Sequence, residues 1–236
     1  MDRKLLAVKQ KRMRGKGWLP VLLLLALGAL FFIQPVIMSQ QTFKQQLLKL
    51  AYPVLMRITK LAGTNATIRK NKDGKKAPAS VYQLTIARNN GQPLPLEQLR
   101  GRKILLVNTA SECGYTGQYE ELQELWQAHK DRLEIIGFPA NDFKEQEKGS
   151  DADIEQFCKI NYGVQFPLAK KSQVVPGAGQ HPVFQWLTNP GQNGWNNQAP
   201  QWNFAKYLIN EEGVLTHYFG PSVSPLDKEV VAAIQQ

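Results

Sequence analysis

The chain has 236 residues and a net charge of +10, and its positive charge is concentrated near the N-terminus. Residues 1–76 contain 16 Lys and Arg against 2 Asp and Glu, whereas the rest of the chain contains 13 against 17. The mildly acidic C-terminal part argues against a nucleic-acid-binding protein, so we expect no nucleic-acid partner. Length and composition together indicate one globular domain preceded by an N-terminal extension of different character.

The N-terminal extension contains an apolar run at residues 18–38 that is long enough to cross the hydrocarbon core of a bilayer. Seven Lys and Arg residues precede the run, and three follow it within about 20 residues. This asymmetry predicts a cytoplasmic flank at 1–16 and a transmembrane anchor at 17–38 in contact with membrane lipid. The C-terminal domain is then expected outside the cytoplasm, in a periplasm-like space. A cleaved signal peptide is the alternative, but the run is long for one and no small-x-small cleavage site follows Phe32.

Residues 39–79 are predicted to form an amphipathic stalk followed by a basic linker. Apolar residues recur at helical spacing over 43–61, and Pro53 interrupts the pattern, which indicates a kinked amphipathic helix. Two interpretations stay open: the helix lies on the membrane surface with its lysines near anionic headgroups, or it is a simple helical stalk. The polar, basic segment at 64–79 is predicted to be the linker.

Residues 80–236 alternate between strand-like and helix-like patterns, which is typical of an α/β domain. Strands are predicted at 80–87, 103–110, 133–139, 204–210 and 214–220, with a turn at 89–94; helices are predicted after Cys113 and at 150–160, 181–187 and 225–236. Three scattered histidines and two cysteines show no metal-ligand spacing, and no Walker or dinucleotide motif is present. We therefore expect neither a metal nor another cofactor.

Cys113 lies between a predicted buried strand and the start of the next predicted helix. Unpaired backbone N–H groups and the dipole at a helix N-terminus favour a thiolate over a thiol, and the thiolate is the reactive form of cysteine. Position alone leaves two interpretations open, a reactive cysteine or a small core residue. Thr116 occupies the position that a CxxC pair would need, so dithiol exchange within this turn is excluded.

Three sequence blocks stand out in the C-terminal domain: VNTASECGYTGQY at 107–119, GFPANDFKEQEKGSD at 137–151 and the WNF motif at 202–204. In this order, and with EQFCKINYGVQFPL between the second and the third, the blocks resemble the glutathione peroxidase family. The resemblance extends from about residue 80 to the C-terminus. It implies a thioredoxin fold, with a central mixed β-sheet flanked by helices, and a peroxidase activity.

The resemblance implies catalytic roles for four residues. Cys113 matches the peroxide-reducing cysteine or selenocysteine of the family, and Gln146, Trp202 and Asn203 match the residues that surround it. Amide and indole N–H groups are neutral donors, which suit the negative charge on the attacking sulfur and on the departing oxygen during O–O cleavage. Taken singly, each of the three donors has an ordinary structural alternative as a loop, core or turn residue.

Cys158 lies on a predicted helix whose N-terminus carries a capping box formed by Ser150 and Asp153. Its place on the apolar face of that helix is typical of a packing residue. The resemblance implies the alternative, because the position matches the resolving cysteine of thioredoxin-dependent members, which form an internal disulfide with the peroxide-reducing residue. Many relatives have a further cysteine where this chain has Ala140.

A second Trp-Asn pair, Trp195 and Asn196, lacks the following Phe and is predicted to have no part in the site. The sequence thus predicts a membrane-anchored thiol peroxidase that reduces hydrogen peroxide or organic and lipid hydroperoxides. The reaction is expected to pass through a sulfenic acid at Cys113 and, with Cys158 as resolving residue, an intramolecular disulfide. A thioredoxin-like protein or glutathione is the expected reductant. The alternative is a peroxide-responsive redox sensor or interaction module with little turnover.

Overall fold

The structure, a computed structural model, describes residues 42–236. The predicted flank at 1–16 and the predicted transmembrane anchor at 17–38 lie outside these residues. Within residues 42–236, no helix combines the length and the apolar character that crossing a bilayer requires.

A five-stranded mixed sheet forms the centre of the domain. The strands of the domain are β1 (Ile68–Lys70), β2 (Thr85–Ala87), β3 (Pro93–Pro95), β4 (Lys103–Thr109), β5 (Leu133–Pro139), β6 (Lys206–Ile209) and β7 (Leu215–Phe219). The sheet has the order β1-β7-β6-β4-β5, and β2 pairs with β3 in a separate hairpin. Strands β4 and β5 run parallel, whereas the other neighbours in the sheet are antiparallel. The parallel β4–β5 unit beside the β6–β7 hairpin is the strand arrangement of a thioredoxin fold.

Helices cover both faces of the sheet. They are α1 (Phe43–Ala62), α2 (Gln118–His129), α3 (Asp151–Tyr162), α4 (Pro182–Thr188), α5 (Pro190–Asn193) and α6 (Lys228–Gln235). Helices α2, α3 and α6 pack on one hydrophobic cluster, and α4 packs on the other. The four helices predicted in the C-terminal domain are confirmed to within a few residues.

Strand β4 divides the core because its side chains alternate between the two faces of the sheet. Leu105 points into the cluster beneath α2, α3 and α6, whereas Leu106 points into the cluster beneath α4. Every residue of β4 and of β5 is buried, as expected for parallel strands covered on both faces. Cys113 and Cys158 both belong to the first cluster, so the two thiols lie on the same side of the sheet.

Two local predictions differ from the structure. The predicted linker at 64–79 contains β1, the edge strand that pairs with β7. Pairing at an edge needs only backbone hydrogen bonds, so the polar, basic composition of this segment does not prevent it. The predicted strand at 80–87 begins instead as a 3₁₀ turn at Val81–Gln83, and only Thr85–Ala87 of it is a strand.

Helix α1 packs along one face against the turn and the helix that follow β4. Tyr52 is buried, its hydroxyl donates to Glu121 at 2.6 Å, and its ring occupies the space that a side chain at Gly117 would need. Lys44, in the first turn, forms an ion pair with Glu112 at 2.7 Å. The helix continues through its internal proline and is attached to the domain along its length.

Candidate active site

Cys113 lies in the turn that connects β4 to α2. Its backbone N–H donates to the Thr116 hydroxyl at 3.1 Å, and that hydroxyl donates in turn to the carbonyl of Ala110 at 2.9 Å. The Tyr115 N–H donates to the Cys113 sulfur at 3.4 Å. Thr116 therefore holds the turn that presents a backbone N–H to the thiol, while Cys113 itself is fully buried.

The electrostatic environment of Cys113 differs from the one that its sequence position predicts. Burial raises the pKa of Cys113 to about 11, and the Tyr115 N–H with the side chains of Trp202 and Asn203 offsets only part of that rise. The helix-terminus argument predicts a lowered pKa and is wrong for this conformation, because the loss of water around the charged form outweighs the nearby donors. The thiol is therefore protonated at neutral pH in the described conformation.

The WNF motif reaches the thiol through a loop that Asn108, near the end of β4, holds in place. The Asn108 side chain donates to the Trp202 carbonyl at 3.1 Å and accepts from the Ala205 N–H at 3.0 Å. The Asn108 backbone carbonyl accepts from the Phe204 N–H at 2.6 Å. Since Asn108 is fully buried, these hydrogen bonds fix the loop against the strand that leads to Cys113.

Gln146 approaches the same place from the loop between β5 and α3. Its side-chain carbonyl accepts a hydrogen bond from the Asn203 amide at 3.1 Å, and its backbone carbonyl accepts one from the Glu112 N–H at 3.1 Å. The first bond joins two donors of the site, and the second joins the Gln146 loop to the residue before Cys113. The structure thus brings Cys113, Gln146, Trp202 and Asn203 together from three separate parts of the chain.

Unusual backbone conformations mark two of these loops. Among residues 42–236, four residues other than glycine have a positive φ, and three of them flank the site. Lys144 and Glu145, each with φ of 52°, precede Gln146, and Phe204, with φ of 68°, ends the WNF motif. Side chains disfavour this conformation, so the surrounding contacts must hold it. One such contact is the edge of Tyr119 against the Phe204 ring, with centroids 5.4 Å apart.

The second Trp-Asn pair makes its hydrogen bonds elsewhere in the domain. The Trp195 indole N–H donates to the Leu215 carbonyl at 2.7 Å, and the Asn196 amide donates to the Leu187 carbonyl at 2.8 Å. Both donors are occupied by backbone carbonyls of β7 and α4. Neither is among the groups that act on the sulfur of Cys113.

Cys158 lies on α3 with its side chain fully buried. The predicted capping box is present: the Ser150 hydroxyl accepts from the Asp153 N–H at 3.2 Å, and the Asp153 carboxylate accepts from the Ser150 N–H at 3.0 Å. Burial raises the pKa of Cys158, the Tyr119 hydroxyl lowers it, and the Glu147 carboxylate raises it further. Both cysteines of the chain are free thiols, so the structure shows the reduced pair.

Five buried side-chain oxygens near the thiols have no hydrogen-bond partner of normal geometry within residues 42–236, namely those of Thr109, Ser111, Tyr119, Glu147 and Asn203. Glu147 is the acidic member of the group. Burial raises the pKa of Glu147 to about 7, and the hydroxyl and N–H of Ser111 offset part of that rise. Perturbed pKa values cluster at functional sites. These residues form the polar side of an otherwise apolar cluster.

The donors around Cys113 are amide, indole and backbone N–H groups, which suit an anion at sulfur or oxygen. In the part of the chain that the structure describes, no group of three or more His, Cys, Asp and Glu is placed to hold a metal ion. The arrangement can stabilise a thiolate and a departing oxygen anion at the same place.

Comparison with known proteins agrees with this arrangement. A family model described as glutathione peroxidase matches residues 81–188. The glutathione peroxidase homolog BsaA of Staphylococcus epidermidis is 48% identical over 147 residues, which cover 62% of this chain and 92% of the relative. The chain belongs to the glutathione peroxidase family.

Two further comparisons connect this family member to a eukaryotic relative and to a solved structure. The glutathione peroxidase-like peroxiredoxin HYR1 of Saccharomyces cerevisiae is 41% identical over 145 residues, which cover 61% of this chain and 88% of the relative. The crystal structure of Trgpx in apo form matches with a TM-score of 0.51 and 30% identity, over 68% of this chain and 98% of that chain. The protein is therefore a peroxidase with a thioredoxin fold, as the resemblance implied.

Three residues that shape the site have no role predicted from the sequence: Asn108, Tyr119 and Glu147. Asn108 and Tyr119 lie in the first matched block, and Glu147 directly follows Gln146 in the second. Their positions within these blocks are the indication of a functional role that the sequence offers for them. Their contacts with the WNF loop and with α3 join distant parts of the chain, which local spacing does not reveal.

Proposed function

We propose that Cys113 is the peroxide-reducing residue of this glutathione peroxidase family member. The observation that carries the proposal is that the Tyr115 N–H donates to the Cys113 sulfur at 3.4 Å, and that Trp202 and Asn203, the latter bonded to Gln146, lie near enough to lower the pKa of that thiol. Uncharged donors stabilise an anion at sulfur without neutralising it, as nucleophilic attack requires. A hydroperoxide is the substrate class, because cleavage of its O–O bond releases an oxygen anion that needs the same donors.

In the proposed step the sulfur attacks one peroxide oxygen, an S–O bond forms and the O–O bond breaks. Cys113 becomes a sulfenic acid, and the hydroperoxide is reduced to water or an alcohol. Because burial keeps the thiol protonated, its proton must be released during the attack, and the departing oxygen is the group that receives it. The Trp202 indole and the Gln146 and Asn203 amides stabilise that oxygen until the proton arrives.

Substrate entry requires a movement, because Cys113 is fully buried. Trp202 and Gln146 are the partly exposed members of the site. The Trp202 ring packs against Phe143, with centroids 5.7 Å apart, and the Lys144 ammonium lies 5.6 Å from the Trp202 ring centroid. We expect the hydroperoxide to enter on the Trp202 side, where displacement of the Trp202 ring and its surface neighbours would open a path to the thiol.

We further propose that Cys158 resolves the sulfenic acid. Its sulfur attacks the sulfur of Cys113, a disulfide forms and water departs, and an external dithiol then reduces the disulfide. Support comes from the presence of both cysteines in one hydrophobic cluster and from the description of the yeast relative as a peroxiredoxin. A disulfide needs Cα atoms within about 7 Å, so we expect α3 to unwind locally before the bond forms. The reductant is then a thioredoxin-like protein, with glutathione as the alternative.

Steady-state peroxide consumption with a thioredoxin-like reductant tests both roles. Cys113→Ser is expected to reduce the rate by about 1000-fold or more, because the nucleophile is lost. Cys158→Ser is expected to keep the first oxidation of Cys113 and to lose turnover with the dithiol. Mass spectrometry of the peroxide-treated wild-type chain should show a Cys113–Cys158 bond. Over-oxidised Cys113 beside a free Cys158 would reject the resolving role, and full activity of Cys113→Ser would reject the first proposal.

A peroxide-responsive sensor is the second candidate, and the burial of both thiols favours it. Burial raises the pKa of Cys113 and of Cys158, which slows their reactions at neutral pH and suits a protein that reacts once per signal. A sensor would stop after one equivalent of peroxide even with excess reductant, whereas an efficient peroxidase continues. Family membership favours the peroxidase.

A membrane location outside the cytoplasm forms the last part of the proposal. Residues 17–38 would anchor the enzyme, since they are apolar over a bilayer's width and follow a basic flank at 1–16. An anchored enzyme is expected to meet lipid hydroperoxides. A reporter enzyme that works only outside the cytoplasm, fused after Gln236, should be active, and an inactive but expressed fusion would contradict this orientation.

A further inference from the structure

Helix α1 has two opposite faces with apolar residues, and only one of them packs on the domain. The inner face carries Tyr52, Leu55, Met56 and Thr59, which are buried or half-buried. The outer face carries six large apolar side chains that are between 55% and 89% exposed: Phe43, Leu47, Leu50, Val54, Ile58 and Leu61. These six residues are called the outer stripe below.

The outer stripe is continuous and well separated in sequence from other exposed apolar residues. At about 100° per residue its members fall within an arc of about 80°, and this 20-residue helix extends for about 30 Å. Elsewhere in residues 42–236, only two other large hydrophobic residues are exposed, Ile160 and Leu226. A long, contiguous apolar patch indicates an interaction surface, because isolated domains rarely leave such a patch in water.

The charge of α1 favours an anionic surface as the partner. The helix contains four Lys and Arg and no Asp or Glu. Lys44 and Lys49 pair with Glu112 and Glu120 of the domain at 2.7 and 2.6 Å, so these bonds tie the helix to the domain and leave the outer stripe uncovered. An exposed apolar face, with Lys and Arg as the only charged residues of the helix, is typical of helices that lie in the interface of an anionic bilayer.

Chain connectivity indicates the bilayer rather than another protein as the occupant. The apolar run at 18–38 ends four residues before α1 begins at Phe43. A connection of this length spans at most about 18 Å when fully extended. If residues 17–38 anchor the chain, the first turn of the outer stripe must lie within that distance of the membrane surface. Under that condition a lipid surface lies within reach of the outer stripe without a further partner.

We propose that the outer stripe lies in the interface of an anionic bilayer, with α1 parallel to the membrane and its inner face carrying the catalytic domain. This inference rests on the proposed anchor but concerns different residues. Lys44, in the first turn of α1, binds Glu112, which directly precedes Cys113. The arrangement therefore holds the Cys113 turn next to the membrane-bound helix, and hydroperoxides of membrane lipids become the substrate class nearest to it.

Photochemical labelling of the full chain in vesicles tests the proposal. The vesicles contain anionic phospholipid and a phospholipid with a diazirine in its acyl chain, and peptide mass spectrometry locates the adducts after irradiation. We expect adducts on the outer stripe and on residues 17–38, with none on Tyr52 or Thr59. Adducts on 17–38 alone would overturn the outer-stripe proposal and leave the anchor standing. Adducts on the outer stripe alone would support membrane contact of the stripe and contradict the anchor at 17–38.

A pair of charged variants makes the test specific for the apolar face. Leu50→Glu combined with Val54→Glu should lower the adduct yield within 43–61 about tenfold, because a carboxylate must stay in water, and should leave the yield on 17–38 unchanged. Gln127→Glu combined with Ala128→Glu adds the same charge on the exposed side of α2 and should change neither yield. An equal loss in both double variants would show a general charge effect and overturn the proposal.

The lipid composition and the contacts between copies complete the test. The adduct yield on the outer stripe should be several-fold higher in anionic than in zwitterionic vesicles at low salt, and should fall as salt is added. Equal yields would contradict the part assigned to the basic residues. Photoadducts between two protein chains at the stripe, in place of lipid adducts, would assign the face to a second copy and overturn the proposal.

Discussion

Cys113 and Cys158 are equally buried in one hydrophobic cluster, but the groups around them act differently. At Cys113 three N–H donors, one from the backbone and two from side chains, all lower the pKa that burial raises. At Cys158 one tyrosine hydroxyl lowers the pKa, while two carboxylates add to the rise that burial causes. The comparison teaches that burial alone does not distinguish the proposed peroxide-reducing thiol from the proposed resolving thiol; the direction in which the nearby polar groups shift the pKa does.

The backbone around the two cysteines also differs. Cys113 lies in a turn tied down by Thr116 and next to the loop that Asn108 holds, so its donors are placed before any substrate arrives. Cys158 lies on a helix whose N-terminus depends on a capping box. The proposed attack and disulfide require a fixed reaction centre at Cys113 and a local loosening of α3 at Cys158.

The largest expected effect comes from removing one donor from Cys113. Trp202→Phe keeps an aromatic ring against Phe143 and removes the indole N–H. The pKa of Cys113 should rise by about one unit, and the rate of its first reaction with peroxide should fall about 100-fold. Stopped-flow oxidation and the pH dependence of thiol alkylation measure the two quantities.

The second Trp-Asn pair provides the matched control. Trp195→Phe also removes an indole N–H, but one that is bonded to a backbone carbonyl of β7. This variant is expected to lose some stability and to keep both the pKa and the oxidation rate of Cys113. Similar losses in Trp195→Phe and Trp202→Phe would contradict a specific donor role.

A smaller effect is expected from the carboxylate beside Cys158. Burial raises the pKa of Glu147 to about 7 in the folded protein, whereas the ordinary pKa of 4.5 applies in the unfolded chain. The stability that Glu147 contributes is therefore fully present below pH 4.5 and is lost as the pH rises to about 7. Glu147→Gln should be more stable than the wild type by about 2 kcal/mol at about pH 8, and similar to it at about pH 4.

Thermal unfolding of the full chain in detergent at the two pH values checks this sign. Glu124→Gln, which changes an exposed carboxylate on α2, is the control and should show no such difference. If Glu147→Gln were less stable than the wild type at alkaline pH, the carboxylate would be stabilising as an anion. That result would remove the contrast drawn between the two thiols.

The smallest expected effect concerns the capping box of α3. Ser150→Ala should lower stability by about 1 kcal/mol. If α3 loosens for Cys158 to reach the sulfenic acid, as proposed above, the same change should speed formation of the disulfide about fivefold. Asp227→Ala removes the N-cap of α6 and should cost similar stability without changing that rate. A slower disulfide step in Ser150→Ala would indicate that α3 stays intact during resolution.

The elements that sequence could predict are those set by local pattern. Apolar runs predict β4 to β7, and helical periodicity predicts α1 to α4 and α6. The spacing of Ser150 and Asp153 predicts a capping box, which is present. The edge strand β1 was missed because its partner, β7, follows it by about 150 residues and only the backbone makes the pair. Non-local pairing leaves little trace in the composition of a short polar strand.

For the candidate site, too, local motifs predict some residues, whereas contacts between distant parts of the chain determine the others. Ordered motifs identified Cys113, Gln146, Trp202 and Asn203, and the structure places these residues together. The prediction of a lowered pKa for Cys113 is wrong because it rests on the adjacent helix terminus alone. The turn is deeply buried, and burial raises the pKa more than the nearby N–H groups lower it. Asn108 and Glu147 act through contacts with residues far along the chain, so their positions had to come from the fold.

The most direct test of the central claim is to trap the first oxidation product in the full chain. One equivalent of hydrogen peroxide is added to the reduced protein together with a reagent specific for sulfenic acid, and the modified residue is located by mass spectrometry. The account predicts modification at Cys113, and a Cys113–Cys158 disulfide when the reagent is omitted. Modification at Cys158 with Cys113 unchanged, or undiminished peroxide consumption by Cys113→Ser, would contradict it.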